Sequence, residues 1–262
     1  INSRQIFLLI GLLLITQILK INFKTISPLS IIVPPTLIIS QGISKITALS
    51  WVSIALINWP NAENGMNEYL LLITFITSCI VAILGEKIRS RAQILQVSIF
   101  VPIGAFIAQY LLSGINNNDL YNFNIQNLIS KHGNIISDSF LLATLILLAI
   151  ISMPILESIF GLVTKAMLLE LADQEKPLLR RLSIEAPGTY EHTLLLCGLA
   201  EEATRMIGGN VDLVRAGALY HDIGKLHAPN WFIENQNGKK NPHDELDNPL
   251  ELSLIHISEP TR

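Results

Sequence analysis

The stretch "ALYHDIGKLHAPNWF" (218–232) decides how the rest of the chain reads. An apolar run ends in His221 and Asp222, breaks at Gly224 and turns polar around Lys225. A neutral imidazole beside a carboxylate is a ligand pair suited to Mn, Fe or Zn. A carboxylate can also bridge two metals, and a two-metal clamp supports in-line attack at phosphorus. Lys225 adds a positive charge able to meet a phosphate. A His-Asp dipeptide also arises by chance, so the flanking sequence has to supply further ligands.

Upstream, Thr189–Ile207 reads as a helix with Leu196, Leu199, Ala203, Met206 and Ile207 on one face. Gly208-Gly209 is a strong stop, and Asn210 can cap a second helix, Val211–Asp222. The two form a hairpin with a tight turn. His192, near the start of the first helix, and His221-Asp222, at the end of the second, then share one end. Counted from the turn they differ by about five residues, roughly 7 Å at 1.5 Å per residue. Inward-pointing side chains can close most of that gap, so the spacing permits a shared metal site. The bland alternative for His192 is a helix-end histidine satisfied by hydrogen bonds.

Further upstream the chain changes character. Half of its 262 residues are hydrophobic (50%) and only 15% are charged, against about 25% charged in a soluble domain. The aromatic share is 6%, so the apolar character is aliphatic. This composition implies a membrane protein. The net charge of −3 argues against a nucleic-acid polymer as partner, since such binders are normally basic. Cys79 and Cys197 lie in apolar and helical runs and make no disulfide framework. The chain begins at Ile1 within an apolar region, without a signal-peptide pattern, and is expected to be truncated there.

Charge divides the chain near Gly161. Against a span requirement of about 20 apolar residues, the candidate spans are Ile6–Ile21, Leu29–Gly42, Ile46–Trp59, Tyr69–Gly85, Ile94–Gly114 and Ser139–Phe160. The second and third are short, and Pro34-Pro35 interrupts the second. They read as two kinked spans or one re-entrant pair. "EKIRSR" (86–91) holds Lys87, Arg89 and Arg91 and is assigned to the cytoplasm. "NAENGMNE" (61–68) has no Lys or Arg and is assigned outside, as is the long polar segment Ile115–Asp138. Lys20 and Lys24 then fall outside, a mild violation. No charge occupies the middle of a confident span, whereas pumps usually need one; the membrane half reads as an anchor or sensor. The helix after Phe160 is expected to run on into the cytoplasm to about Asp173. Pro177 then starts another helix, and Pro187-Gly188 ends the segment.

The whole string "RRLSIEAPGTYEHTLLLCGLAEEATRMIGGNVDLVRAGALYHDIGKLHAPNWFIENQ", followed by "NPHDEL", resembles the HD-domain phosphohydrolase superfamily. More closely it is similar to the seven-transmembrane HD family of PgpH-type cyclic di-AMP phosphodiesterases. "PLLRRL", "EAPGTY", "YHDIGK", "FIENQ" and "NPHD" occur in family order directly after a membrane bundle. The resemblance implies an all-α fold: a polytopic membrane helix bundle, 1–161, with about six spans; a linker helix, 162–187; and the N-terminal part of a cytoplasmic HD domain, 188–251. It implies that His192, His221 and Asp222 are metal ligands, with Asp222 the bridge, and that Asp222 and Lys225 act in catalysis near the phosphate. Two divalent ions, Mn or Fe, are the implied cofactors. His227 and His132 are expected to be solvated surface residues, and His243, in "NPHD", to be structural.

Residues 252–262, "LSLIHISEPTR", match an in-frame translation of a sequencing-library transposon adapter. They are expected to be an artefact, with His256 no ligand. The implied function is a multi-pass phosphodiesterase of a bacterial inner membrane, cutting cyclic di-AMP to linear pApA by attack of a metal-activated water. Its partners are the cyclic dinucleotide and the lipid bilayer, with a homo-oligomer left open. The alternatives are a nucleotide-binding membrane receptor or scaffold without hydrolysis, and an HD hydrolase of another nucleotide such as a guanosine alarmone. With only three family ligands before residue 251, the chain as written is expected to bind one ion at most and to be a poor phosphodiesterase. Nucleotide sequence over 252–262 tests the artefact reading: the adapter's codons are expected there, and other codons would contradict it.

Overall fold

The computed structural model describes residues 2–22, 26–59, 68–88, 91–117, 125–236 and 238. All regular structure among them is helical, as the sequence implied. His243, His256 and the 252–262 tail, for which the sequence raised expectations, lie outside the described residues. The chain divides into two compact units, Ile1–Ala166 and Met167–Arg262.

The first unit holds α1 (Ser3–Asn22), α2 (Pro28–Gly42), α3 (Lys45–Ile57), α4 (Glu68–Lys87), α5 (Arg91–Asn117) and α6 (Ile125–Phe160). Four of these are long and apolar enough to cross a bilayer: Ser3–Asn22, Tyr69–Lys87, Leu95–Leu112 and Asn134–Phe160. The unit is accordingly that of a multi-pass membrane protein. Its outward side chains are the apolar ones, such as Phe7, Ile57, Phe100 and Phe140, all strongly exposed. That is the pattern expected when lipid rather than water is the solvent.

Helix α2 is the centre of this unit. It packs against α1, α3, α4 and α6, and every residue from Pro28 to Gly42 except Pro35 and Gln41 is buried. Both Pro34 and Pro35 lie inside the helix, although each removes a backbone donor. Burial among neighbouring helices makes this tolerable, and the Thr36 hydroxyl donates to the Ile32 carbonyl at 2.8 Å. At 15 residues the helix is about 22 Å long, short of the ~30 Å hydrocarbon core. Only two residues separate it from α3, and the Ser44 hydroxyl caps that helix by accepting from the Thr47 amide at 3.1 Å. Read as two short spans or as a re-entrant pair, the hairpin leaves α4 running in the same direction.

Small residues let α2 approach its neighbours closely. Ser40 donates to the Ala82 carbonyl of α4 at 2.6 Å, and a Cβ on Gly85 would stand 2.6 Å from the Ser40 hydroxyl oxygen. A Cβ on Gly42 would meet Leu162 at 2.7 Å, a side chain only 1% exposed. Lys20, the apparent violation of the charge rule, donates to the Asn58 carbonyl at 3.0 Å, beyond the last turn of α3. A cation is favoured at a helix C-terminus, which gives this lysine a local reason to be there.

Within the polar segment Ile115–Asp138, α5 runs to Asn117 and α6 begins at Ile125. One expectation for the first unit needs correction: the last membrane helix does not continue past Phe160. Gly161 takes φ +63°, a left-handed conformation that ends helices. A separate short helix, α7 (Lys165–Leu171), follows.

The second unit contains α8 (Pro177–Glu185), α9 (Pro187–Met206) and α10 (Val211–Tyr220), then 3-10 turns at Ile223–His227, Pro229–Trp231 and Ile233–Asn235. Pro187 opens α9 instead of closing the preceding segment. Its fixed φ and missing N–H suit the first helical position. The α9–α10 turn is the expected one. Gly208 at φ +68° directs its amide to the Arg205 carbonyl, and the Gly209 amide reaches the Thr204 carbonyl at 2.9 Å, the paired bonds of a Schellman end. Asn210 caps α10 through the Leu213 amide at 3.1 Å.

The buried face of α9 is its small-residue side. Thr189, Thr193, Cys197 and Thr204 point inward, with Cys197 in a cluster with Leu179 and Leu219. Leu199, Met206 and Ile207 are 72%, 80% and 83% exposed. Helix α10 packs on α9 and takes the small-residue side, leaving the leucine stripe outside among the described residues.

Introducing bulk at the α2–α4 approach tests the fold. Gly85→Leu is expected to destabilise the protein by about 1–3 kcal/mol through overpacking against Ser40 and Leu37. Thermal unfolding in detergent should show an earlier transition; an unchanged transition would contradict the close approach.

Candidate metal centre

The hairpin of α9 and α10 brings His192 and His221 together as the spacing allowed. Their ring centroids are 6.0 Å apart. One ligand atom from each of His192, His221 and Asp222 can be chosen so that all lie within 4.8 Å of one another. All three side chains reach solvent, so an ion has access: His192 and His221 are exposed and Asp222 half-buried.

The end of α10 orients His221. Its Nδ1 lies 2.8 Å from the Ala218 carbonyl oxygen, which only accepts, so Nδ1 carries the proton. Nε2 is then the free ligand atom; a backbone carbonyl holding the other ring nitrogen is usual for metal-binding histidines. That Nε2 stands 3.3 Å from Asp222 Oδ2. Two imidazoles and a carboxylate with ligand atoms within 4.8 Å of one another fit a divalent ion.

Lys225 is placed on Asp222 itself. Its Nζ lies 2.8 Å from Asp222 Oδ2 and 2.9 Å from Glu234 Oε1, and 5.1 Å from the centre of the Phe232 ring. Burial pulls the Lys225 ammonium down, but the hydrogen bonds and charges of Asp222 and Glu234 outweigh it and its pKa is raised. Burial likewise pushes the Glu234 carboxyl up, and the bonds from Lys225, the backbone and Thr189, with the Lys225 charge, override it and leave its pKa lowered. Lys225 therefore stays cationic at neutral pH.

Behind these residues is a clasp that the motif reading did not resolve. The Thr189 amide, one of the donors left unpaired at a helix start, donates to Asn235 Oδ1 at 3.1 Å. Asn235 Nδ2 returns a bond to the Thr189 hydroxyl at 2.8 Å, and that hydroxyl donates to Glu234 Oε1 at 3.0 Å. Thr189 is fully buried and Asn235 is 6% exposed. A Cβ on Gly188 would collide with the Glu234 carbonyl, so only glycine allows the two segments to meet. Connected side chains thus run from the start of α9 through Glu234 and Lys225 to Asp222. "APGTY" and "FIENQ" carried this signal in the sequence, but neither string names its partner. His227 is exposed, as expected. His132 lies in α6, where its side chain is not described.

Residues 3–164 match the model of the family described as the 7TM receptor with intracellular HD hydrolase, and residues 189–252 match the HD domain. The chain belongs to this seven-transmembrane HD family. Among curated relatives, it is 36% identical over 192 residues to the cyclic-di-AMP phosphodiesterase PgpH of Bacillus subtilis, covering 73% of this chain and 26% of that one. It is 44% identical over 108 residues to the cyclic-di-AMP phosphodiesterase PgpH of Listeria monocytogenes, covering 40% and 15%. It is 51% identical over 109 residues to uncharacterized protein slr0104 of Synechocystis sp., covering 40% and 13%. The chain thus spans 13–26% of the length of these relatives. No solved structure matches it.

The clasp has a direct test. Asn235→Ala strands the Thr189 amide and hydroxyl in a buried site, at an expected cost of about 1–3 kcal/mol. Chemical denaturation followed by circular dichroism checks this, and an unchanged midpoint would contradict the clasp.

Proposed function

We propose that the chain belongs to a membrane-anchored, metal-dependent phosphodiesterase that hydrolyses cyclic di-AMP to linear pApA. The observation that carries this reading is the convergence of His192, His221 and Asp222 within 4.8 Å. Two relatives named as cyclic-di-AMP phosphodiesterases support the substrate. The bound metal, Mn or Fe, supplies Lewis-acid polarisation of a phosphoryl oxygen and acidification of water. His192 and His221 would offer ring nitrogens to one ion. Asp222, with two carboxylate oxygens, would be the bridging ligand were a second ion bound, and that ion would need ligands beyond these three. Lys225 has its charge anchored by Glu234 and is placed to meet a phosphate oxygen beside Asp222.

In the whole protein, Asp222→Ala is expected to lower Mn²⁺-dependent cyclic di-AMP turnover by well over the ~10- to 100-fold typical of changes behind the ligands. Near-normal turnover in a variant that still inserts in membranes would overturn the site assignment.

We assign the protein to a bacterial inner membrane with the HD segment in the cytoplasm. The support is the basic "EKIRSR" (86–91) set against the acidic "NAENGMNE" (61–68). In a background lacking Cys79 and Cys197, cysteine at 64 is expected to react with an impermeant thiol reagent in intact cells, and cysteine at 89 to be protected. The reverse pattern would contradict the orientation.

A further inference from the structure

A cleft of about 290 Å³ opens where α4 ends and α5 begins. Its walls are Leu84, Val97, Phe100 and Val101, and its polar lining is Lys87, Gln93 and Gln96. The two apolar span segments beside it are Tyr69–Lys87 and Leu95–Leu112. The polar groups therefore cluster where the spans begin and end, at the level where hydrocarbon gives way to headgroups. Phe100 is 68% exposed, so the apolar wall is open towards the side of the bundle.

Lys87 brings a positive charge to this place. Lys87 is exposed, and the neighbouring acid, Glu86, is held by Lys45 at 3.1 Å. From Lys87 to Gly114 the sequence contains Lys87, Arg89 and Arg91 and no Asp or Glu. We propose that this cleft binds an anionic phospholipid of the surrounding bilayer. Its phosphate takes hydrogen bonds from the Lys87 ammonium and from the Gln96 amide. One acyl chain lies against Leu84, Val97, Phe100 and Val101.

Other occupants fit less well. A free phosphate or a soluble nucleotide would leave the apolar walls uncovered. A zwitterionic lipid brings its own cation towards Lys87 and loses the charge complementarity. Basic pockets between membrane helices are suited to anionic headgroups for the same reason. The inference stands apart from the phosphodiesterase reading, because it uses no residue of the second unit.

The test is lipid selectivity of the full chain in bilayers, read from the motionally restricted component of spin-labelled phosphatidylglycerol against spin-labelled phosphatidylcholine. Phosphatidylglycerol is expected to be preferred. Lys87→Gln should reduce the preference by about fivefold, the factor that one lysine near an anionic surface supplies. Lys20→Gln should leave it unchanged. Val101→Trp fills the apolar part without altering charge, and should diminish the restricted phosphatidylglycerol component. Soluble glycerol phosphate should not displace the labelled lipid. Retained preference in Lys87→Gln, an undiminished component in Val101→Trp, or displacement by glycerol phosphate would each overturn the proposal.

Discussion

The reciprocal bonds between Thr189 and Asn235 are the constraint on which the metal-binding end of the second unit depends. They bind the first turn of α9 to a 3-10 turn 46 residues later in the chain. Everything between, including the α9–α10 hairpin and the His221–Lys225 segment, is thereby a closed loop with both ends fixed. Each bond is a modest net contributor, but both groups are buried, so leaving either unpaired costs more than the bond supplies. Glu234 next to Asn235 then fixes Lys225, and Lys225 fixes one oxygen of Asp222. The site's geometry is set at a distance from the site.

The first unit is organised around a different constraint. In lipid there is little apolar driving force between helices, so close packing and interhelical hydrogen bonds carry association. Helix α2 meets this with small or hydroxyl-bearing residues at its contacts: Ser30 donates to the Asp138 carbonyl at 3.2 Å, and Ser40 to the Ala82 carbonyl at 2.6 Å. Its prolines stay helical because neighbours surround it. Its short length follows from the same position, since a helix enclosed by protein need not match the bilayer thickness by itself.

Much of this was legible in the sequence. The aliphatic runs of α1, α4, α5 and α6 declared themselves by length, and the Gly208-Gly209 stop with the Asn210 cap located the hairpin turn to the residue. His192, His221 and Asp222 were brought to one end by counting residues from that turn. The failures have physical causes. The leucine stripe of α9 stood out in the sequence, which did not show that the Thr189–Thr193–Cys197 side is the one buried, where small side chains let α10 approach. Pro187 looked like a terminator and is a helix start, since proline suits both roles. Glu234 and Asn235 were invisible as partners of Lys225 and Thr189, because no local pattern encodes a contact across such a separation.

The central claim is that His192 and His221 present ring nitrogens to one divalent ion beside Asp222. Pulsed electron paramagnetic resonance of the protein loaded with Mn²⁺ tests it most directly, because modulation from directly bound imidazole nitrogen reports ligation independently of turnover. The account expects histidine nitrogen modulation in the unaltered protein, weakened in His192→Ala or His221→Ala and absent when both are replaced. Bound Mn²⁺ whose nitrogen modulation survived the double replacement unchanged would place the ion elsewhere and contradict the account.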